Sequence, residues 1–378
     1  MGPDQPVVVL ADVVHAPLVR AITRAAYQAG ARRVEVMYED LFLKQAMVEL
    51  APEPTLSYTP PWDLQRFRQL GEAKGALVRI VGEPEPDLLV GQDGRRVGLA
   101  RPRQLHDLYG RLISQRAINW TLAGDPTEGW ARQVFGKPDL ERLWATVEKL
   151  VRLDEADPAA AWAAHLERLQ AIADELNRRE FDALRFRGPG TDLEIGLLPS
   201  SRWGSARFET AWGRRHVPNL PTEEVFTSPD RRRAEGVVRS TRPLALPGAI
   251  VRDLELRFSG GRVVEVKAGS GADIVRTQLE ADAGAASLGE VALVDGSSRV
   301  GQSGLLFFST LYDENAACHL AYGHGFAFAV EAAADREAGL NMSAIHTDLM
   351  VGGPEVGVYG VEVGGAEVPV MTGNAFRF

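Results

Sequence analysis

The chain has 378 residues, 45% of them hydrophobic and 25% charged, with a formal net charge of -9. An acidic balance of that size gives no support to a sequence-independent nucleic-acid surface or to binding of anionic membranes, and the length is enough for two domains. The single cysteine, Cys318, excludes an intrachain disulfide and a thiolate-rich metal site, so any bound metal must be held by oxygen and imidazole nitrogen.

In chain order, VVVLA from Val7 predicts a short strand, Ala16 to Gly30 a helix with Pro17 in its first turn, and RRVEVMY a second strand. This βαβ pattern is a sign of a parallel sheet. VVVLADVV lacks the basic flank of a secretory leader, and no apolar run approaches the ~18 residues of a membrane span, so a cytoplasmic location is expected. Further helices are predicted around Trp62 to Gly71, Arg101 to Leu112 and Glu128 to Phe135, with strands at ALVRIV and AINWTL. APEPTLSYTPPW reads as a loop. Two long helical patterns, Asp139 to Leu153 and Ala159 to Arg179, close this half.

The texture changes near Arg185, where RFRGPGTDLEIGLLP begins a series of short strands including AIVRDLELRF and GRVVEVKAG. The expected organisation is an α/β N-terminal domain over 1–185 and a β-rich α+β C-terminal metal-binding domain over 186–378. The basic run RRRAEGVVR reads as a solvated or ion-paired face.

The acids and imidazoles of the second half fall in four segments. In NLPTEEVFTSPD an extended chain points Glu223 and Glu224 to opposite sides, so only one can face a given centre. LGEVALVD carries Glu290 ahead of an apolar run. In YDENAACHLAYGHGFAF, Asp313 and Asn315 are candidate N-caps for an alanine-rich helix bearing His319. In AIHTDLMVGG, His346 and Asp348 share one face of a strand, a geometry that suits two ligands to one metal or a self-satisfied pair. His15, His106, His165 and His216 lack such neighbours and read as structural or surface residues.

Together the phrases PTEEVFTSPD, GEVALV, DENAACHLA and IHTDLM resemble the hallmark blocks of the thermophilic aminopeptidase T family of metallopeptidases, which includes aminopeptidase S. The resemblance implies a two-domain homodimer that removes N-terminal residues from peptides with two divalent ions. Position by position it implies Glu224, Glu290, His319, His346 and Asp348 as metal ligands. Three carboxylates and two imidazoles cannot fill two separate coordination shells, so a bridging carboxylate and water ligands are expected, with Zn²⁺, Co²⁺, Mn²⁺ or Mg²⁺ as suitable ions. A water activated by both cations would be the nucleophile. Glu223 and Glu314 are candidates for moving a proton to the leaving amine.

One position departs from the family. The tyrosine usual seven residues after the helical histidine is Phe326 here, and on a helix that residue would share a face with His319. Tyr322 and His324 are candidate substitutes as hydroxyl or N–H donors. Two other readings stand beside the peptidase: a single-iron ring-cleaving dioxygenase of related fold, and a family member that is catalytically weak or silent.

Overall fold

The apolar runs near the N-terminus become the centre of a parallel sheet in the computed structural model, which describes residues 2–246 and 249–378. Strands β1 (Pro6–Asp12), β2 (Arg33–Glu39), β3 (Ala76–Val81) and β4 (Asn119–Gly124) lie in the order β2-β1-β3-β4, all parallel. The two-residue strand Asn219–Leu220 is added beyond β4. Both faces of β1 are buried because helices cover each side. Val7 and Val9 pack with Val19 and Ala26 of helix Ala16–Gln28. Val8 and Leu10 pack with Phe67 and Leu70 of helix Pro61–Glu72 and with Leu105, Leu108 and Leu112 of helix Arg103–Ser114. A run of valines reads as a strand for this reason: β-branched side chains fill two apolar layers at once.

The chain forms two compact units: residues up to Val151 with Arg207–Leu220, and Arg152–Ala206 with Pro221–Phe378. The division is therefore not one cut near residue 185. Helix Pro158–Arg179 belongs to the second unit, and a short excursion returns to the first. Helix Leu41–Leu50, capped by Asp40, has no clear signature in the sequence because its apolar residues follow no helical stripe.

The second unit is antiparallel and β-rich. Its eight-stranded sheet includes Ala183–Gly188, Thr191–Leu197 and the long strand Pro229–Arg239. Along TDLEIGL, Leu193 and Ile195 are buried while Asp192 and Glu194 are exposed, as period-2 alternation requires. Three of the four arginines of RRRAEGVVR are ion-paired: Arg232 with Asp230, Arg233 with Asp182 and Arg239 with Asp253. A second sheet of four strands carries Glu290, His319, His346 and Asp348. Its strands are β5 (Val225–Thr227), β6 (Leu288–Leu293), β7 (His319–Gly323) and β8 (His346–Met350), in that spatial order.

No helix among the described residues is long and apolar enough to cross a membrane. Within the eight-stranded sheet, Gly236 sits at φ 122°, where a Cβ would lie 2.1 Å from the Asp192 carbonyl oxygen. Gly236→Ala is expected to lower stability by about 1–3 kcal/mol, read as a fall in the urea midpoint at constant slope.

Candidate metal centre

The register of the four-stranded sheet decides which side chains meet. Glu290 pairs with Ala321, and Ala321 with Asp348; Ala292 pairs with His319, and Gly323 with His346. Paired residues in an antiparallel sheet share a face, as do residues two apart along a strand. Glu290, His319, His346 and Asp348 therefore all project from one face. Between them stand Ala292, Ala321 and Gly323, whose small side chains leave the space above the sheet open. On β5, Phe226 pairs with Ala292 and so lies on this same face. Glu224, two residues before it, follows by alternation, and Glu223 turns the other way.

Coordination-sized groups result. One ligand atom each from Glu224, Glu290 and His319 lie within 4.8 Å of one another, as do atoms from Glu290, His346 and Asp348. Glu290 belongs to both groups. His319 Nε2 is 3.2 Å from Glu224 Oε2, and His346 Nε2 is 3.1 Å from Glu290 Oε2 and 3.2 Å from Asp348 Oδ1. Each imidazole is oriented from behind. His319 Nδ1 donates to the Ala317 carbonyl at 3.2 Å and His346 Nδ1 to the His324 carbonyl at 2.8 Å, which leaves both Nε2 atoms facing the carboxylates.

The residues fit divalent ions. Glu224 Oε2, His319 Nε2 and Asp348 Oδ1 are buried atoms that make no hydrogen bond among the described residues, a costly arrangement for polar groups unless something binds them. Burial works against charge on His319, yet the adjacent Glu224 carboxylate lifts its ring to about 10. His346 is likewise raised: burial opposes its charge, and Asp348 and Glu290 outweigh it. Burial and then the charges of Glu224 and Asp348 push Glu314 well above the usual carboxylate range.

Several sequence expectations change here. His319 lies on a strand and not on a helix. The helical segment Thr310–Asp313 passes into a single 3₁₀ turn, Glu314–Ala316, and Ala317 is already extended at φ -165°. Ladders to β6 and β8 on both sides outweigh the helix preference of the alanines. Tyr322, three residues along that strand, points to the opposite face and donates to Gln278 Oε1 at 2.5 Å, so it offers no hydroxyl to the metal face. Phe326 lies beyond the strand, with its ring 5.3 Å from that of His346, in a cluster with Phe226 and Phe328. His324 contributes its carbonyl to His346, while its own Nδ1 meets the Ser343 carbonyl at 3.2 Å.

Glu223 is not at the metal face either. Its buried carboxylate meets Arg152 Nη1 at 2.9 Å. Arg152 Nη2 also donates to His165 Nδ1 at 3.0 Å, and His165 Nε2 donates to the Thr222 carbonyl at 2.8 Å. Burial and then Arg152 lower the His165 ring to about 4, so it stays neutral. The Glu223 N–H donates to Asn315 Oδ1 at 2.6 Å. The two residues that precede Glu224 are thus fixed. No spacing in the sequence announced this support, because Arg152 and His165 are joined to it only by the fold.

Arg152→Met would leave Glu223 buried without its cation and is expected to cost about 3–5 kcal/mol of stability in chemical denaturation. Adding Glu223→Leu should restore much of that loss. Because both imidazoles are held charged by neighbouring carboxylates, binding a divalent ion must displace their protons. Apparent metal affinity is therefore expected to keep rising with pH through neutrality toward about 10, where the His319 ring loses its proton unaided, and the binding heat to depend on the buffer's protonation enthalpy.

Comparison with known proteins agrees with this geometry. The family model described as thermophilic metalloprotease (M29) matches residues 1–376. The chain is 40% identical over 377 residues to aminopeptidase T of Thermus aquaticus, covering 97% of this chain and 92% of that protein. It is 36% identical over 387 residues to aminopeptidase AmpS of Bacillus subtilis, covering 99% and 94%. The solved structure of wild-type AmpT from Thermus thermophilus superposes with a TM-score of 0.93 at 37% identity, covering 100% of this chain and 95% of that one. A face of carboxylates and imidazoles on this fold, matched end to end, places the chain in the thermophilic metalloprotease (M29) family.

Proposed function

We propose that the protein is a metal-dependent aminopeptidase that works with two divalent ions. The observation that carries this reading is the pair of three-ligand groups that share Glu290. Glu224, Glu290 and His319 would hold one ion and Glu290, His346 and Asp348 the other, Glu290 belonging to both groups. The names of the aminopeptidase relatives supply the substrate class, a peptide with a free N-terminus. When bound, the ions would supply Lewis acidity to polarise a scissile carbonyl and to acidify a water.

The chain's own groups complete the chemistry. Glu314, a carboxyl close enough to Glu224 and Asp348 to feel their charge, is the group we assign to carry a proton to the departing amine and to take one back in the next cycle. The carboxylates gathered on this face favour an α-ammonium group over a blocked terminus. Phe226, Phe326 and Phe328 form an apolar wall beside His346 on one side of the site. Association into a homodimer belongs to the same proposal, supported by the family resemblance, and light scattering tests it.

Metal analysis of the purified protein is expected to return two divalent ions per chain. A single iron would instead favour the dioxygenase reading. Release of the first residue from an unblocked peptide should be chelator-sensitive and absent for the N-acetylated peptide. Glu290→Ala should lose both ions together and reduce turnover by at least about 10³-fold. If a missing hydroxyl limits the rate, Phe326→Tyr should raise kcat by up to about 10²-fold. An unchanged kcat would overturn the role assigned to that position.

A further inference from the structure

The first unit contains a cavity of about 610 Å³, within the range of small-molecule sites. It opens where open parallel sheets bind ligands. From β1 the chain goes to β2 on one side and then crosses to β3 on the other, so the carboxyl ends of β1 and β3 part around a crevice. The segments that follow β1, β3 and β4 line it.

Those segments are held rigidly. His15, 1% exposed, places Nδ1 2.9 Å from Asp125 Oδ2 and Nε2 3.1 Å from the Gly82 carbonyl oxygen. The Asp125 N–H donates to the Val81 carbonyl at 2.8 Å, and Thr127 Oγ1 to the Glu83 carbonyl at 2.7 Å. Gly82, at φ 156°, approaches so closely that a Cβ would lie 2.1 Å from the Asp125 carbonyl oxygen. A buried imidazole–carboxylate pair at the meeting point of three loops is an expensive way to build a mere turn. It gives a preformed polar floor.

The lining selects the ligand's charge. Glu85 and Glu128 contribute carboxylates with no cationic partner among the described residues, while that of Asp125 is engaged by His15, and the segment after β1, DVVHAPLVR, has no glycine-rich phosphate fingerprint. Pro17 removes an N–H donor from the first turn of helix Ala16–Gln28, and the N-terminus of helix Glu128–Phe135 is already capped by Thr127. A nucleotide's phosphates would meet repulsion here, whereas an ammonium group would be attracted. Arg132 supplies the one lining guanidinium, and among the described residues it pairs with no carboxylate. Leu18, Leu140 and Trp144 give an apolar wall. The geometry points to a binding site for a small zwitterion with an apolar side chain, a free α-amino acid such as leucine or phenylalanine: ammonium toward the carboxylates, carboxylate toward Arg132, side chain against Trp144. The site does not depend on the metal reading, although that reading would make its ligand chemically a product of the same protein.

The test is calorimetric titration of L-leucine and L-phenylalanine into the full-length, metal-loaded protein, into Glu290→Ala and, in case that variant misfolds, into chelator-treated wild type. Binding is expected in all forms that fold. Arg132→Ala, a change at an exposed helix position, should weaken it roughly ten-fold or more, as should N-acetylation or amidation of the ligand, each of which deletes one charge. Absence of binding at about 10 mM ligand would overturn the proposal. So would binding that disappears with the metal yet ignores Arg132→Ala, or a preference for ADP over the amino acids.

Discussion

The register of one antiparallel sheet governs this molecule. Glu290, Ala321 and Asp348 line up across three strands, and a slip of one residue at either ladder would send its acids and imidazoles to the opposite face. The apolar residues of the other face, Val291, Leu320 and Leu349, are fully buried, and their burial pins that register. Packing on one side of the sheet therefore fixes the chemistry on the other. The alanines at 292 and 321 belong to the same constraint, since larger side chains there would occupy the space over which the ligand atoms converge.

Gathering three buried carboxylates with a buried imidazole, His319, and a partly exposed one, His346, is costly, and the protein answers the cost in two ways. Charge is balanced locally, with imidazoles held protonated against carboxylates and Glu314 held neutral. The backbone is also restrained behind the pocket. Arg152 secures Glu223, Asn315 receives the Glu223 N–H, and main-chain carbonyls orient both rings. A polar site without such backing would relax toward solvent or fill with disordered contacts, since each charged side chain has many rotamers that reach water.

Much of this was legible from local pattern. Alternation separated Glu223 from Glu224 and put His346 beside Asp348, because a strand's period needs no knowledge of its neighbours. The valine runs of β1 and β3 announced a covered parallel sheet for the same reason. Legibility failed where tertiary contacts overrode local preference. The alanines before His319 favour a helix in isolation, yet two flanking strands recruit the segment into a ladder. The long helix Pro158–Arg179 was recognised as a helix but assigned to the wrong half, since periodicity reports that a face is apolar and not what covers it. His165 and His15 read as structural or surface residues, but the tie of Arg152 and His165 to Glu223 depends on partners distant in the chain, as does that of His15 to Asp125.

The chain enters its first unit, leaves it after Val151 and comes back for Arg207–Leu220 before finishing the second. The returning piece adds Asn219–Leu220 beside β4, and the Leu122 N–H donates to the Pro218 carbonyl at 2.7 Å. During synthesis the parallel sheet thus keeps an unpaired border until well over half of the polypeptide has emerged from the ribosome. Neither unit corresponds to an uninterrupted stretch of translation, so neither can be completed before part of the other has been made.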